Sequence, residues 1–130
     1  MRRCALIALI VFLTAAFAYG KDYEVKGKAG NYSLEVLFDK NPSVKGEHRL
    51  EINIMDAAMK PVTDATVIVK YLMPTLGNRP PMMEYETAAT REGTAYKALV
   101  NLSMVGEWTF IVEVTRAGKT EAMKFSFFVR

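Results

Sequence analysis

Seven segments of the chain alternate apolar and polar residues with a period of two, and this alternation restricts the fold more than any other feature. Tyr32 to Phe38 is a clear example, with apolar side chains at every second position. The other segments cover residues 48–54, 65–71, 83–87, 96–102, 108–114 and 123–129. Because side chains two residues apart lie on the same face of a β-strand, each segment predicts a strand with one buried face.

Residues that favour turns separate these segments at the intervals expected of a sandwich. The turn signals are Asn41-Pro42, Lys60-Pro61, Asn78 to Pro81, Arg91 to Gly93, Val105-Gly106 and Ala117-Gly118. Seven short strands with one polar face each are typical of two antiparallel sheets packed face to face. The sequence therefore predicts an all-β fold, an immunoglobulin-like antiparallel β-sandwich of about seven strands.

The beginning of the chain has the three regions of a cleavable signal peptide. Arg2 and Arg3 precede an uncharged apolar run from Ala5 to Ala18 that ends with small residues. This run is shorter than the roughly 20 apolar residues that a transmembrane helix needs. We therefore expect residues 1–18 to be removed near Ala18, leaving a periplasmic or secreted protein without a transmembrane anchor.

The remaining chain has the composition of one domain that is stabilised by packing alone. The sequence has a single cysteine, Cys4, which belongs to the predicted signal peptide. Residues 19–30 are interpreted as a polar leader or a short first strand, and residues 31–130 as one β-sandwich domain. Without Arg2 and Arg3, 15 basic side chains stand against 14 acidic ones. This balance does not predict binding to nucleic acid.

The residue types required for most catalytic sites are scarce. His48 is the only histidine, and without a mature cysteine there is neither a catalytic triad nor a zinc site of ordinary composition. Gly118-Lys119-Thr120 matches the end of a phosphate-binding loop, but Glu113 occupies the position of the required upstream glycine. Glu84 and Glu86 are interpreted as the solvent-facing side of a strand. We therefore expect a protein that is not an enzyme.

Methionines and the histidine are expected to gather at one end of the sandwich. If consecutive strands are antiparallel, the connections 39–47, 73–82 and 103–106 lie at that end. The candidate side chains there are His48, Met73, Met82, Met83 and Met104. The period of two also predicts that His48, Met73, Met83 and Met104 lie on the inward faces of their strands. One interpretation is that flexible thioethers fill the irregular end of the core. The other is a soft-metal site, because thioether and imidazole donors suit Cu(I).

The connection from Pro74 to Pro81 is the longest loop that the pattern leaves, and long loops often carry function. A second functional hypothesis is therefore a protein-interaction module without metal. In that case this loop, or an edge strand, would dock onto a complex of the cell envelope.

Three runs of sequence resemble the YtkA-like family, which is similar to part of the FixH proteins. They are Tyr71 to Pro74, Pro80 to Met82 and Leu102 to Trp108, and residues 56–65 and 118–120 also resemble that family. The resemblance implies a small extracytoplasmic β-sandwich of the kind linked to copper handling. Its implied partner is a metal-efflux or oxidase-assembly component of the envelope.

Overall fold

The computed structural model describes residues 23–74 and 83–130, and within these ranges the chain forms nine β-strands and no α-helix. The strands are β1 (Glu24–Ala29), β2 (Tyr32–Phe38), β3 (Gly46–Met55), β4 (Thr66–Met73), β5 (Met83–Ala88), β6 (Thr90–Glu92), β7 (Ala95–Leu102), β8 (Gly106–Arg116) and β9 (Lys119–Val129). No helix in the described part is long and apolar enough to cross a membrane. The predicted signal peptide, residues 1–18, lies outside the described residues.

The strands of the described ranges form two antiparallel sheets. Sheet A has five strands in the order β1-β2-β3-β7-β6, and sheet B has four in the order β5-β4-β8-β9. The chain passes between the sheets after β3, β5 and β7. The predicted fold class, an all-β antiparallel sandwich, is therefore confirmed.

Two of these strands were not among the seven alternating segments. Strand β1 forms within residues 19–30, and strand β6 consists of three exposed residues. Both are edge strands of sheet A, and each is held by a single neighbour, β2 or β7. Their pairing supplies hydrogen bonds without burying a full apolar face, so neither strand leaves a clear period of two in the sequence.

The core lies between the inward faces of the two sheets. Strands β2, β3 and β7 contribute residues such as Val36, Ile52 and Val100, and β4 and β8 contribute Val69 and Val112 from the opposite side. All five side chains are buried. These are the apolar positions of the alternating segments, so the same pattern that predicted the strands also determines which faces meet.

An aromatic cluster closes the core around Phe110, which is completely buried. Its ring stacks on Tyr71, Phe125 and Phe127, with centroid distances of 5.6, 5.3 and 5.2 Å. Phe38 of sheet A meets the Phe110 ring edge-on at 5.9 Å. Aromatic pairs in these geometries add to the free energy gained by burying their area, so the cluster joins the two sheets.

The register defines two ends of the sandwich. We call the end that holds residues 39–45 and 103–105 the first pole. Gly46 of β3 pairs there with Leu102 of β7, and Met73 of β4 pairs with Met83 of β5. The opposite end, which holds residues 56–65 and the turns at 30–31, 93–94 and 117–118, is called the second pole.

The second pole is held by hydrogen bonds from a buried tyrosine. The Tyr96 hydroxyl donates to the Val62 carbonyl at 2.9 Å and accepts the Ala65 N–H at 3.2 Å. These bonds attach the connection between β3 and β4 to strand β7. Because Tyr96 is 2% exposed, water has little access to replace either bond.

The Gly118-Lys119-Thr120 tripeptide belongs to the hairpin between β8 and β9. Ala117 and Gly118 form its two-residue turn with φ angles of 53° and 78°. Two successive positive φ angles match the right-handed twist of a hairpin. The tripeptide is thus part of a turn and strand, and no helix follows it to bind a phosphate.

Candidate functional site

The first pole brings together the predicted site residues that the structure describes. His48 is the third residue of β3, Met73 is the last residue of β4, and Met83 is the first residue of β5. Met104 lies in the connection that leads from β7 to β8. Met82 lies outside the described residues, and only the backbone position of Met83 enters the description.

His48 projects from β3 into the core, where it is fully buried. Its Nε2 lies 2.6 Å from the Val44 carbonyl oxygen. Since a carbonyl only accepts, Nε2 carries the hydrogen and donates it. The Nδ1 atom is buried and has no hydrogen-bond partner in the described part of the chain. In the tautomer with the hydrogen on Nε2, the Nδ1 lone pair would face the inside of the sandwich without a partner.

This arrangement of His48 is one in which the ring could take a metal ion. Leaving a buried polar atom without a partner costs about 1–3 kcal/mol. Histidines that ligate metals usually donate the hydrogen of their second nitrogen to a carbonyl or carboxylate, which orients the ring. The bond to Val44 meets this requirement, and it leaves Nδ1 as the nitrogen that could take a ligand.

Met73 lies on the inward face of sheet B at the same pole, and its side chain is 9% exposed. Its Cε atom would lie only 2.5 Å from a Cβ atom placed on Gly106. Gly106 also has a φ of 139°, which side-chain-bearing residues rarely adopt. Glycine at this position therefore makes room for the methionine and permits the backbone to enter β8.

Met104 occupies a different environment from Met73. Strand β7 ends at Leu102, so the inward face of the strand does not continue to Met104, whose side chain is 41% exposed. The Met104 carbonyl accepts a hydrogen bond from the Trp108 ring nitrogen at 2.9 Å. The backbone is thus attached to the core, while the thioether is accessible at the surface of the pole.

Further apolar side chains are exposed around Met104. Val105 is 59% exposed in the same connection, and Val44 is 49% exposed in the connection that carries the His48 acceptor. Residues 23–74 and 83–130 contain no group of three or more His, Cys, Asp or Glu side chains that could hold a metal ion. Among the predicted site residues that the structure describes, the donors are one imidazole and thioethers.

Sequence reasoning identified His48 and Met73 but missed two residues that shape their surroundings. The Val44 carbonyl selects the histidine tautomer, and a backbone acceptor has no signature in the sequence. Gly106 was assigned to a turn from its position between strands, but its contact with Met73 depends on the pairing of β4 with β8. In the sequence, only a glycine two positions before Trp108 points to a close approach.

The titratable groups with shifted pKa values lie away from the first pole's interior. Partial burial and the neighbouring Glu24 carboxylate raise the pKa of Glu35 on the outer face of sheet A. Hydrogen bonds from the Lys60 and Ala58 backbone lower the pKa of Asp56 at the second pole.

We expect Glu35→Gln to raise the free energy of unfolding at pH 7 by less than about 0.5 kcal/mol, because solvent screens this half-exposed site. A raised carboxyl pKa means that the folded state binds the proton more tightly. The contribution of Glu35 to stability is therefore largest at low pH and is lost as the pH rises through its folded pKa. Urea unfolding from pH 3 to pH 8 measures this, and a gain that persists below the usual glutamate pKa of about 4.3 would contradict it.

The fold and the pole together define a small antiparallel β-sandwich domain with an imidazole and thioethers at one end. A family model named YtkA-like matches residues 22–113. The chain therefore belongs to the YtkA-like family, as the runs Tyr71 to Pro74, Pro80 to Met82 and Leu102 to Trp108 predicted.

A solved structure shares this fold. The soluble domain of PmoD from Methylocystis sp. (Rockwell) superposes with a TM-score of 0.55 at 16% sequence identity. The match covers 85% of this chain and 100% of that chain. At this identity the likeness concerns the fold alone. A search of curated proteins finds no match.

Proposed function

We propose that this YtkA-like chain is an exported, non-enzymatic accessory domain that binds Cu(I) at the first pole. The observation that carries this proposal is the buried Nδ1 atom of His48, which has no partner in the described residues. A core that keeps an unpaired acceptor loses stability, and a bound ion would satisfy it.

The donor set favours a soft ion over a hard one. Thioether sulfur binds Cu(I) in preference to Mg²⁺ or Ca²⁺, which take oxygen ligands, and imidazole also suits copper. Methionine further avoids the disulfide formation that cysteine would undergo in an oxidising extracytoplasmic space. A bound copper ion would be either cargo for delivery or an electron-transfer centre. The chain's own residues would determine which metal ion binds.

The candidate ligands differ in how they would reach an ion. His48 and Met73 belong to facing sheets and are held in place by the core. Met104 is exposed, so its thioether can turn toward the pole without unpacking the sandwich. Met83 is the cross-strand neighbour of Met73, and Met82 precedes it in the chain.

An accessory role would bring the domain to another protein of the envelope. The proposed partner is a metal-efflux or oxidase-assembly component that delivers or receives the ion. Exposed Val44, Met104 and Val105 support contact at this pole, because apolar side chains around an exchange site lose water when a partner docks.

The test is a Cu(I) titration of the purified protein against a competing chelator under reducing, oxygen-free conditions. We expect one equivalent to bind, and we expect His48→Gln or the Met73→Leu and Met104→Leu double variant to weaken affinity by about 10–100-fold. The glutamine amide can still donate to the Val44 carbonyl, which limits the structural effect of the first change.

The matched control is Met59→Leu, because Met59 is 68% exposed and lies at the second pole. It should leave stoichiometry and affinity unchanged. Equal affinity of the double variant and the wild type would end the metal proposal. Circular dichroism of every variant would show whether a loss of affinity reflects loss of the fold.

A further inference from the structure

Strand β7 has one edge that is only partly covered. On one side it pairs with β3 along its whole length, from Ala95 to Leu102. On the other side β6 pairs only with Ala95, Tyr96 and Lys97. Within the described residues, no strand pairs with the stretch from Ala98 to Leu102 on that side, although β5 of the other sheet lies close to β7.

The path of the chain explains this opening. If β6 extended from Thr90 toward the N-terminus, residues 88 and 86 would lie beside the rest of β7 and would cover its edge. Instead the chain changes sheets at Ala89, whose N–H donates to the Val67 carbonyl at 2.8 Å. Ala88 then pairs with Ile68 in sheet B. Strand β5 therefore moves away from β7 at the point where pairing would continue.

The hydrogen-bond alternation shows which backbone groups face the opening. Glu92 and Ala95 close a two-residue hairpin, so Ala95 and then Lys97 direct their N–H and C=O groups toward β6. The same alternation directs the groups of Leu99 and Asn101 to that side. The Asn101 N–H confirms this direction, because it donates to the Tyr71 hydroxyl at 3.3 Å.

The opening adjoins a groove of about 620 Å³, a volume within the range of roughly 300–1,000 Å³ found for ligand sites. Its lining includes Thr87, Ala88 and Thr90 on one side and Ala98 and Leu99 on the other. The Leu99 side chain is 50% exposed on the outer face of sheet A, and Leu37 adds apolar surface in the same groove.

Within the described residues, the open stretch from Ala98 to Leu102 itself carries none of the devices that usually prevent unwanted pairing. Native sheets protect open edges with lysine, proline, bulges or a covering segment. The half-exposed Leu99 lies at the centre of the open stretch, and its neighbours in the chain are not prolines either. An unpaired N–H and C=O with apolar surface beside them are the features that extended peptides recognise.

We propose that the open edge of β7 at Leu99 binds an extended peptide segment of a partner protein as an additional strand of sheet A. The segment would run antiparallel to β7 in the line of β6. It would exchange two hydrogen bonds with Leu99, and an apolar side chain opposite Leu99 would enter the groove. This inference does not depend on metal binding at the first pole.

The probe is a phage-displayed library of random linear twelve-residue peptides, selected on the immobilised full chain in the presence of a copper chelator. Enriched peptides would be synthesised and their affinity measured by fluorescence anisotropy. We expect affinity to fall about five- to tenfold when a single backbone nitrogen of the peptide's pairing face is methylated, because one hydrogen bond is lost.

Two variants separate main-chain pairing from side-chain contact. Leu99→Pro removes the N–H that faces the opening and leaves the bonds between β3 and β7 in place, so peptide binding should fall at least about tenfold. Leu99→Thr is the matched control, since it keeps the N–H and should retain most of the affinity. Because selection takes place in the presence of a copper chelator, peptide binding does not depend on the proposed copper site.

Hydrogen exchange on the wild-type chain keeps the test decisive even if Leu99→Pro does not fold. Bound peptide should slow exchange of the Leu99 amide, and the methylated peptide should not. Enrichment of no peptide, or peptides that leave Leu99 exchange unchanged, would overturn the proposal. Equal binding to wild type and a folded Leu99→Pro variant would overturn it as well.

Discussion

Phe110→Ala should lower the free energy of unfolding by about 3–5 kcal/mol, the range found for removing a fully buried phenylalanine ring. The ring is completely buried and stacks on Tyr71, Phe125 and Phe127. Removal takes away these contacts and leaves a cavity between the sheets that rigid neighbouring strands cannot fill. A loss of this size is a large part of the stability of a small domain.

Phe128→Ala is the matched control for this prediction. Phe128 lies on the outer face of β9 with 61% of its side chain exposed, so the same substitution should change stability by less than about 0.5 kcal/mol. Urea unfolding followed by tryptophan fluorescence compares both variants with the wild type. Similar losses for Phe110 and Phe128 would contradict the assignment of the aromatic cluster to the core.

Tyr96→Phe should cost about 2–4 kcal/mol although it removes a single oxygen atom. The hydroxyl serves both the Val62 carbonyl and the Ala65 N–H, and it is 2% exposed. Without it, two backbone groups at the second pole lose their partner in a region with little water. The connection between β3 and β4 should then become easier to open.

The measurement is again urea unfolding, combined with hydrogen exchange of the Ala65 amide. Tyr85→Phe provides the control, because Tyr85 is 38% exposed and its hydroxyl has no hydrogen-bond partner within the described residues. It should change stability by less than about 0.5 kcal/mol. Unchanged exchange at Ala65 in Tyr96→Phe would show that the hydroxyl does not hold this connection.

These predictions place the main sources of rigidity beside the first pole and at the opposite end. The aromatic cluster packs against the core side of the first pole, since Phe38 contacts both the Phe110 ring and the His48 ring. The exposed connections at residues 39–45 and 103–105 carry less buried surface. The proposed copper site would thus combine inner donors held by the core with an outer rim of exposed side chains.

The strands with strong alternation were predictable, and those without it were not. Tyr32 to Phe38 and residues 108–114 carry their buried face in the sequence, and both form strands with that face inward. Strand β6 has only exposed residues, so its existence depends on pairing with β7 across the turn at Gly93. Local periodicity contains no information about such pairing.

The location of His48, Met73 and Met104 at one end was predictable, because antiparallel strand order determines which residues share a pole. The environment of each side chain was not predictable. Met104 was expected to continue the inward face of β7, but that face ends where the chain turns after Leu102. The unpaired Nδ1 of His48 depends on the position of the Val44 carbonyl, which the fold of a loop determines.

By itself the sequence determined the fold class and the residues that form the core, because burial of apolar side chains at a period of two is a local property of each strand. Only the tertiary structure decided which strand edges are covered, which nitrogen of His48 lacks a partner, and that Gly106 admits Met73. These features arise where segments distant in the chain meet, and the energy of such contacts depends on distances that no local pattern encodes.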